Sequence, residues 1–132
     1  MRSSRFAASG LASILLLVGA LSPTGCSTTA TAGGTTVTES AGTYETIYNA
    51  GTIEVVDAAK AVLEDMNIPI TSSAATAVDG EVVARTASDD RISISVKSVT
   101  EKSSRLKIRV GTFGDKAVSF NILDRIKAKL DD

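Results

Sequence analysis

The chain has 132 residues, with 14 Lys and Arg against 15 Asp and Glu, no His, no Trp and a single Cys. The lack of His excludes a histidine base and a histidine-ligated metal, and one Cys excludes an internal disulfide. Near-neutral charge and 4% aromatic content leave neither the basic footprint nor the stacking platforms of a nucleic-acid binder.

The N-terminus reads as an export signal over residues 1–25. Arg2 and Arg5 form a positive n-region, and Leu11 to Leu21 (LASILLLVGAL) form an apolar h-region. That run falls short of the roughly 20 residues a spanning helix needs. Gly25 then precedes Cys26, and a small residue suits a signal-peptidase site. LSPTGC, residues 21–26, resembles the lipobox of bacterial lipoproteins, with Pro23 where that pattern usually has Leu. The resemblance implies a lipid-modified Cys26 as the first mature residue. It also implies, from Ser27 in place of Asp, an outer-membrane location facing the periplasm. An acylated cysteine answers a further problem, because an odd free thiol is a liability in an oxidising compartment. A competing A-x-A site at Ala30-Thr31-Ala32 predicts a soluble, exported product instead. Loss of residues 1–25 removes Arg2 and Arg5 and leaves an acidic excess of about three charges.

Residues 26–43 are expected to be the lipidated cysteine and a flexible tether. The stretch STTATAGGTTVTESAGT is Thr, Ala, Gly and Ser with little apolar surface to offset its ordering entropy. As a coil of about 17 residues it would reach roughly 20–25 Å, enough to stand a domain clear of headgroups.

Residues 44–132 read as one α+β domain. Tyr44 to Asn49 is β-prone. Thr52 is a candidate N-cap for a helix from Ile53 to Met66, whose Val55, Val56, Ala59, Val62, Leu63 and Met66 recur at helical spacing. Ile68 and Ile70 alternate around Pro69, which confines their strand to an edge or to its own start. Asp79-Gly80 predicts a turn, Val82 and Ala84 one strand face, and Ser88-Asp89-Asp90 a second turn. Ile92, Ile94 and Val96 alternate with polar residues, as do Leu106, Ile108 and Val110, the mark of half-buried antiparallel strands. Val118, Ile122, Ile126 and Leu130 recur along a last helix from Asp115, with Lys127 and Lys129 near its C-terminus. The order is strand, helix, four strands, helix. The simplest burial is a two-layer sandwich, an antiparallel sheet with both helices on one face.

The segment Ile108-Arg-Val-Gly-Thr-Phe-Gly-Asp115 and the helix that follows resemble the C-terminal quarter of a family of small bacterial lipoproteins catalogued as domain of unknown function 3568. The resemblance extends over residues 44–131 and includes the earlier helix and a hairpin centred on Gly80. It implies a signal peptide, a lipid-modified cysteine, a short linker and one α+β domain. It implies no catalytic residues.

The side chains opposite the apolar strand positions include Arg85, Lys97, Lys107 and Arg109, with Arg105, Glu81, Ser93 and Ser95 beside them. They form a candidate interaction face for an envelope protein, phospholipid headgroups or lipopolysaccharide phosphates. The same residues also serve as a solvated face that blocks edge-to-edge aggregation. Gly111 to Asp115 lacks the Lys of a P-loop, and Asp115 suits a helix N-cap better than an anion site. The paired carboxylates Asp89-Asp90 and Asp131-Asp132 converge with no nucleophile. The expectation is a non-enzymatic envelope lipoprotein, with no cofactor and no metal, that binds or scaffolds a partner. The alternative is a soluble periplasmic carrier with a ligand cavity lined by Val62, Ile94 and Ile122.

Overall fold

Apolar alternation along the middle of this chain creates strands with one face to bury, and two helices supply the cover. The computed structural model describes residues 28–32 and 35–132. Their elements are β1 (Thr28–Ala32), β2 (Thr35–Ser40), β3 (Thr43–Tyr48), α1 (Thr52–Asp65), β4 (Ile70–Ala75), β5 (Asp79–Arg85), β6 (Arg91–Thr100), β7 (Ser103–Val110) and α2 (Lys116–Asp131). The seven strands form one sheet in the order β1-β2-β3-β7-β6-β5-β4, with every neighbouring pair antiparallel. The fold is α+β, as the periodicity predicts, and from β3 onward the elements run strand, helix, four strands, helix.

The core forms on the even-numbered positions of the central strands. Ile92, Ile94 and Val96 of β6 and Leu106 and Ile108 of β7 are fully buried. Against them lie Val55, Val56, Ala59, Val62 and Leu63 of α1, and Ile122, Leu123 and Ile126 of α2. Helix α1 packs on β4 to β7, α2 packs on β1, β3 and β7, and the helices contact each other. Among the described residues no helix is long and apolar enough to cross a membrane.

The expectation of a flexible tether is corrected. Residues 28–32 and 35–40, placed in that tether by composition, hold β1 and β2, so the folded unit reaches back from Tyr44 at least to Thr28. Composition misleads here because it counts side-chain burial and ignores a waiting partner. The outer edge of β3 offers unpaired backbone groups, and β2 pairs with it through Thr38↔Glu45, Glu39↔Tyr44 and Ser40↔Thr43. β1 then pairs with β2 from Thr28↔Glu39 to Ala32↔Thr35. The Thr-rich sequence is no obstacle, since β-branched residues suit a pleated surface. Among the described side chains of these two strands, Val37 is the one that joins the core. The export signal and Cys26 lie outside the described residues.

Two local expectations are also corrected. Asp79 and Gly80 open β5 instead of forming the turn, which is held at Thr76 by its Oγ1 bond to Asp79 Oδ1 at 2.7 Å. Gly80 is needed for a close approach: a Cβ there would lie 2.5 Å from Val56 Cγ2 of α1. Thr52 is the first residue of α1 rather than its cap. Gly51 is the N-cap and no side chain caps the helix, while Thr52 Oγ1 meets Ser104 Oγ at 3.3 Å in the interior.

Candidate interaction face

Strand pleating turns alternate residues to opposite faces, so the buried even positions leave the odd ones on the other side. Register aligns them in rows. Lys97 of β6 faces Arg105 of β7, Ser95 faces Lys107, and Ser93 faces Arg109. Lys107 in turn faces Glu45 of β3, and Arg85 of β5 faces Arg91 of β6. The candidate residues Arg85, Lys97, Lys107 and Arg109 therefore share one side of the sheet.

Their charges are not equally free. Glu45 reaches two of the neighbouring cations, with Oε1 3.0 Å from Arg105 Nε and Oε2 3.1 Å from Lys107 Nζ. Arg85 Nη1 lies 2.9 Å from Asp89 Oδ1 in the turn after β5. Arg109 serves the fold: its Nη1 donates to the Ala41 carbonyl at 2.9 Å and its Nη2 to the Thr112 carbonyl. Of the four, Lys97 and Arg109 make no ion pair among the described residues, and Arg109 is held by its two carbonyls. The result is a mixed-charge face with serines between the cations. Asp79, opposite Lys97, and Glu81, opposite Ser95, add further negative charge. Sequence reasoning passed over Glu45, although Tyr44 and Tyr48 on the same strand already set the phase that turns it outward.

The remaining features offer little acid–base chemistry. The Tyr48 hydroxyl donates to the Leu123 carbonyl at 2.8 Å, and burial, then the Asp124 charge, push its pKa up. Burial, then Glu39, raises Tyr44 as well. Both phenols therefore stay neutral around pH 7 and serve as packing groups. Among the described residues no group of three or more Cys, Asp or Glu is placed to hold a metal. Asp115 caps α2 as expected, its Oδ1 accepting from the Val118 N–H at 2.9 Å. A cleft of about 560 Å³ borders that loop, but Asp90 and Asp115 both line it, which opposes an anion. A second cleft, of about 550 Å³, opens where β2 diverges from β3, between Thr36, Thr46 and Leu130. The hydroxyl of Thr46 bridges that divergence by donating to the Thr36 carbonyl at 2.9 Å.

A family model described as "Protein of unknown function (DUF3568)" matches residues 9–129. No curated protein matches the chain.

Proposed function

We propose that this chain, which belongs to the DUF3568 family of unknown function, is a cell-envelope lipoprotein held to a membrane by Cys26. Its domain would bind or scaffold a partner without catalysing a reaction. The observation that carries the reading is the place of β1 in the chain. Thr28, the first residue of β1, lies two positions after Cys26. Processing before Cys26 keeps the sheet whole. The competing Ala30-Thr31-Ala32 site lies inside β1, so cleavage there would remove that strand and leave the outer side of β2 unpaired. Ser27 fits an outer-membrane location on the periplasmic side.

In this reading the domain is a two-layer sandwich. Both helices cover one face, and the other face, with Lys97, Lys107, Ser93 and Ser95, is left for a partner. Because Glu45, Glu81 and Asp79 share that face, it suits a protein surface of mixed charge better than a uniformly anionic lipid layer. The soluble carrier finds less support. Val62, Ile94 and Ile122, the residues its cavity would require, are each fully buried in one core.

Intact mass of the protein from a membrane fraction, beside Cys26→Ser, tests the anchor. A chain beginning at Cys26 with added acyl mass, lost in the variant, is expected. A chain beginning at Gly33 would sink the reading. Lys97→Glu with Lys107→Glu tests the face, because neither residue holds the fold as Arg109 does. The pair of changes should abolish co-purification of envelope partners while leaving the acyl mass unchanged.

A further inference from the structure

The short distance from Cys26 to the sheet determines which end of the domain meets the bilayer. Resting on the lipid-anchor reading above, we propose that the loop between β7 and α2 inserts Phe113 into the membrane interface beside the anchor. Two residues of chain span at most about 7 Å, so an acylated Cys26 holds Thr28 within that distance of the headgroups. Thr28 sits opposite Glu39, near the turn that joins β2 to β3. Gly42 in that turn touches Phe113 and Gly114 directly. Thr28 and the Phe113 loop are therefore at the same end of the sheet.

A single exposed apolar side chain is ordinary on a protein surface. Three observations make this one different. Phe113 is 91% exposed, the most of the large hydrophobic residues among those described. Its loop is braced against the turn between β2 and β3. Gly42 and Gly114 have φ of 74° and 82°, and a Cβ on either would overlap the backbone of the other turn. Arg109 then ties the two turns together through the Ala41 and Thr112 carbonyls. Finally, the loop lies beside the attachment point, whereas the exposed Val78 lies in the turn from β4 to β5, at the opposite end of the sheet.

Charge at this end is close to balanced. Arg85 pairs with Asp89, and Arg109 is engaged by carbonyls, while Asp90 and Asp115 offset Arg91 and Lys116. The contact is therefore apolar and should not need anionic lipid. With one anchor and one aromatic contact, the domain would take a fixed orientation, its opposite end with Val78 directed away from the membrane.

The chain contains no Trp, so a single Trp is a clean probe. Phe113→Trp and Val78→Trp, each as the full chain purified from membranes, would be reconstituted into phosphatidylcholine vesicles carrying brominated acyl chains, with and without phosphatidylglycerol. Their intact masses are measured on the same samples. With the acyl mass present, Trp at 113 should shift to the blue and lose emission to the bromines. Trp at 78 should do neither, and phosphatidylglycerol should change neither result. An acylated protein whose Trp at 113 is unquenched, or whose Trp at 78 is quenched equally, overturns the inference and leaves the anchor standing. An unacylated protein overturns the anchor, and this inference with it.

Discussion

Strands β6 and β1 lie in the same sheet but are held there by different forces. β6 buries Ile92, Ile94 and Val96 in the core with no exposure, under α1, and it has a paired strand on each side. β1 is an edge strand whose Thr28, Thr29 and Thr31 are exposed, and its neighbour β2 sends only Val37 into the core. β6 exists because it buries hydrocarbon. β1 and β2 exist because the edge of β3 is there to pair with. An apolar centre can thus recruit polar chain to its edge, and the recruited part should open before the centre does.

Ile94→Ala tests the central half of that comparison and should have the largest effect. Removing most of a fully buried side chain from the central strand costs about 2–5 kcal/mol. The denaturant midpoint should fall with its slope unchanged, and amides in β3, β5 and β7 should lose protection together. Val37→Ala tests the edge. The lost methyl groups are worth about 2 kcal/mol by area, but the loss should stay local. Hydrogen exchange should rise in β1 and β2 while β6 keeps its protection. If Val37→Ala unfolds the whole domain as Ile94→Ala does, the hairpin is part of the core and the comparison fails.

Tyr48 locates the boundary between the two halves. Its strand pairs with β7 as far as Tyr48↔Ser104, but with β2 only as far as Glu45. Tyr48 should therefore behave as part of the centre. Burial raises its pKa above the ordinary value near 10, so the folded protein keeps a proton that the unfolded chain releases. Above about pH 10 the unfolded state binds fewer protons than the folded one, and stability falls as pH rises. Tyr48→Phe should cost about 1 kcal/mol at pH 7, from the lost bond to Leu123. It should also flatten the alkaline decline, leaving the smaller part due to Tyr44. A decline of unchanged steepness would show that Tyr48 does not carry it.

The same contrast explains what the sequence made legible. The period of two through Ile92, Ile94 and Val96 and the four-residue recurrence through Val118, Ile122 and Ile126 are direct consequences of burial, so the central strands and both helices can be read from residue order. The hairpin over residues 28–40 cannot, because its cause is a neighbour distant in sequence and its own composition resembles that of a solvated linker. The candidate face is legible in part. Pleat phase puts Arg85, Lys97, Lys107 and Arg109 on one side. The commitment of Arg109 to two carbonyls depends on loops meeting across the end of the sheet, which no local pattern encodes. Gly80 shows a similar limit: its sequence suggests a turn, while its use is to admit Val56 of α1.

The smallest expected effect concerns the place where the two halves meet on the open face. Glu45 lies opposite Thr38 of the hairpin and bridges Arg105 and Lys107 of the centre. Those cations are about half exposed, and pairs of this kind are worth under about 1 kcal/mol and are screened by salt. Glu45→Gln should therefore lower the thermal midpoint slightly at low ionic strength and not at all at high. Its larger consequence is for charge. With the carboxylate gone, Arg105 and Lys107 are no longer offset, and the face around Lys97 becomes distinctly basic. If the natural partner presents acidic groups to that face, Glu45→Gln should strengthen its capture at low salt. If the partner contacts Glu45 itself through a cation, the same change should weaken capture while the salt-dependent loss of stability stays the same. The sign of that change would establish whether Glu45 is part of the contact surface or only holds its neighbours in place.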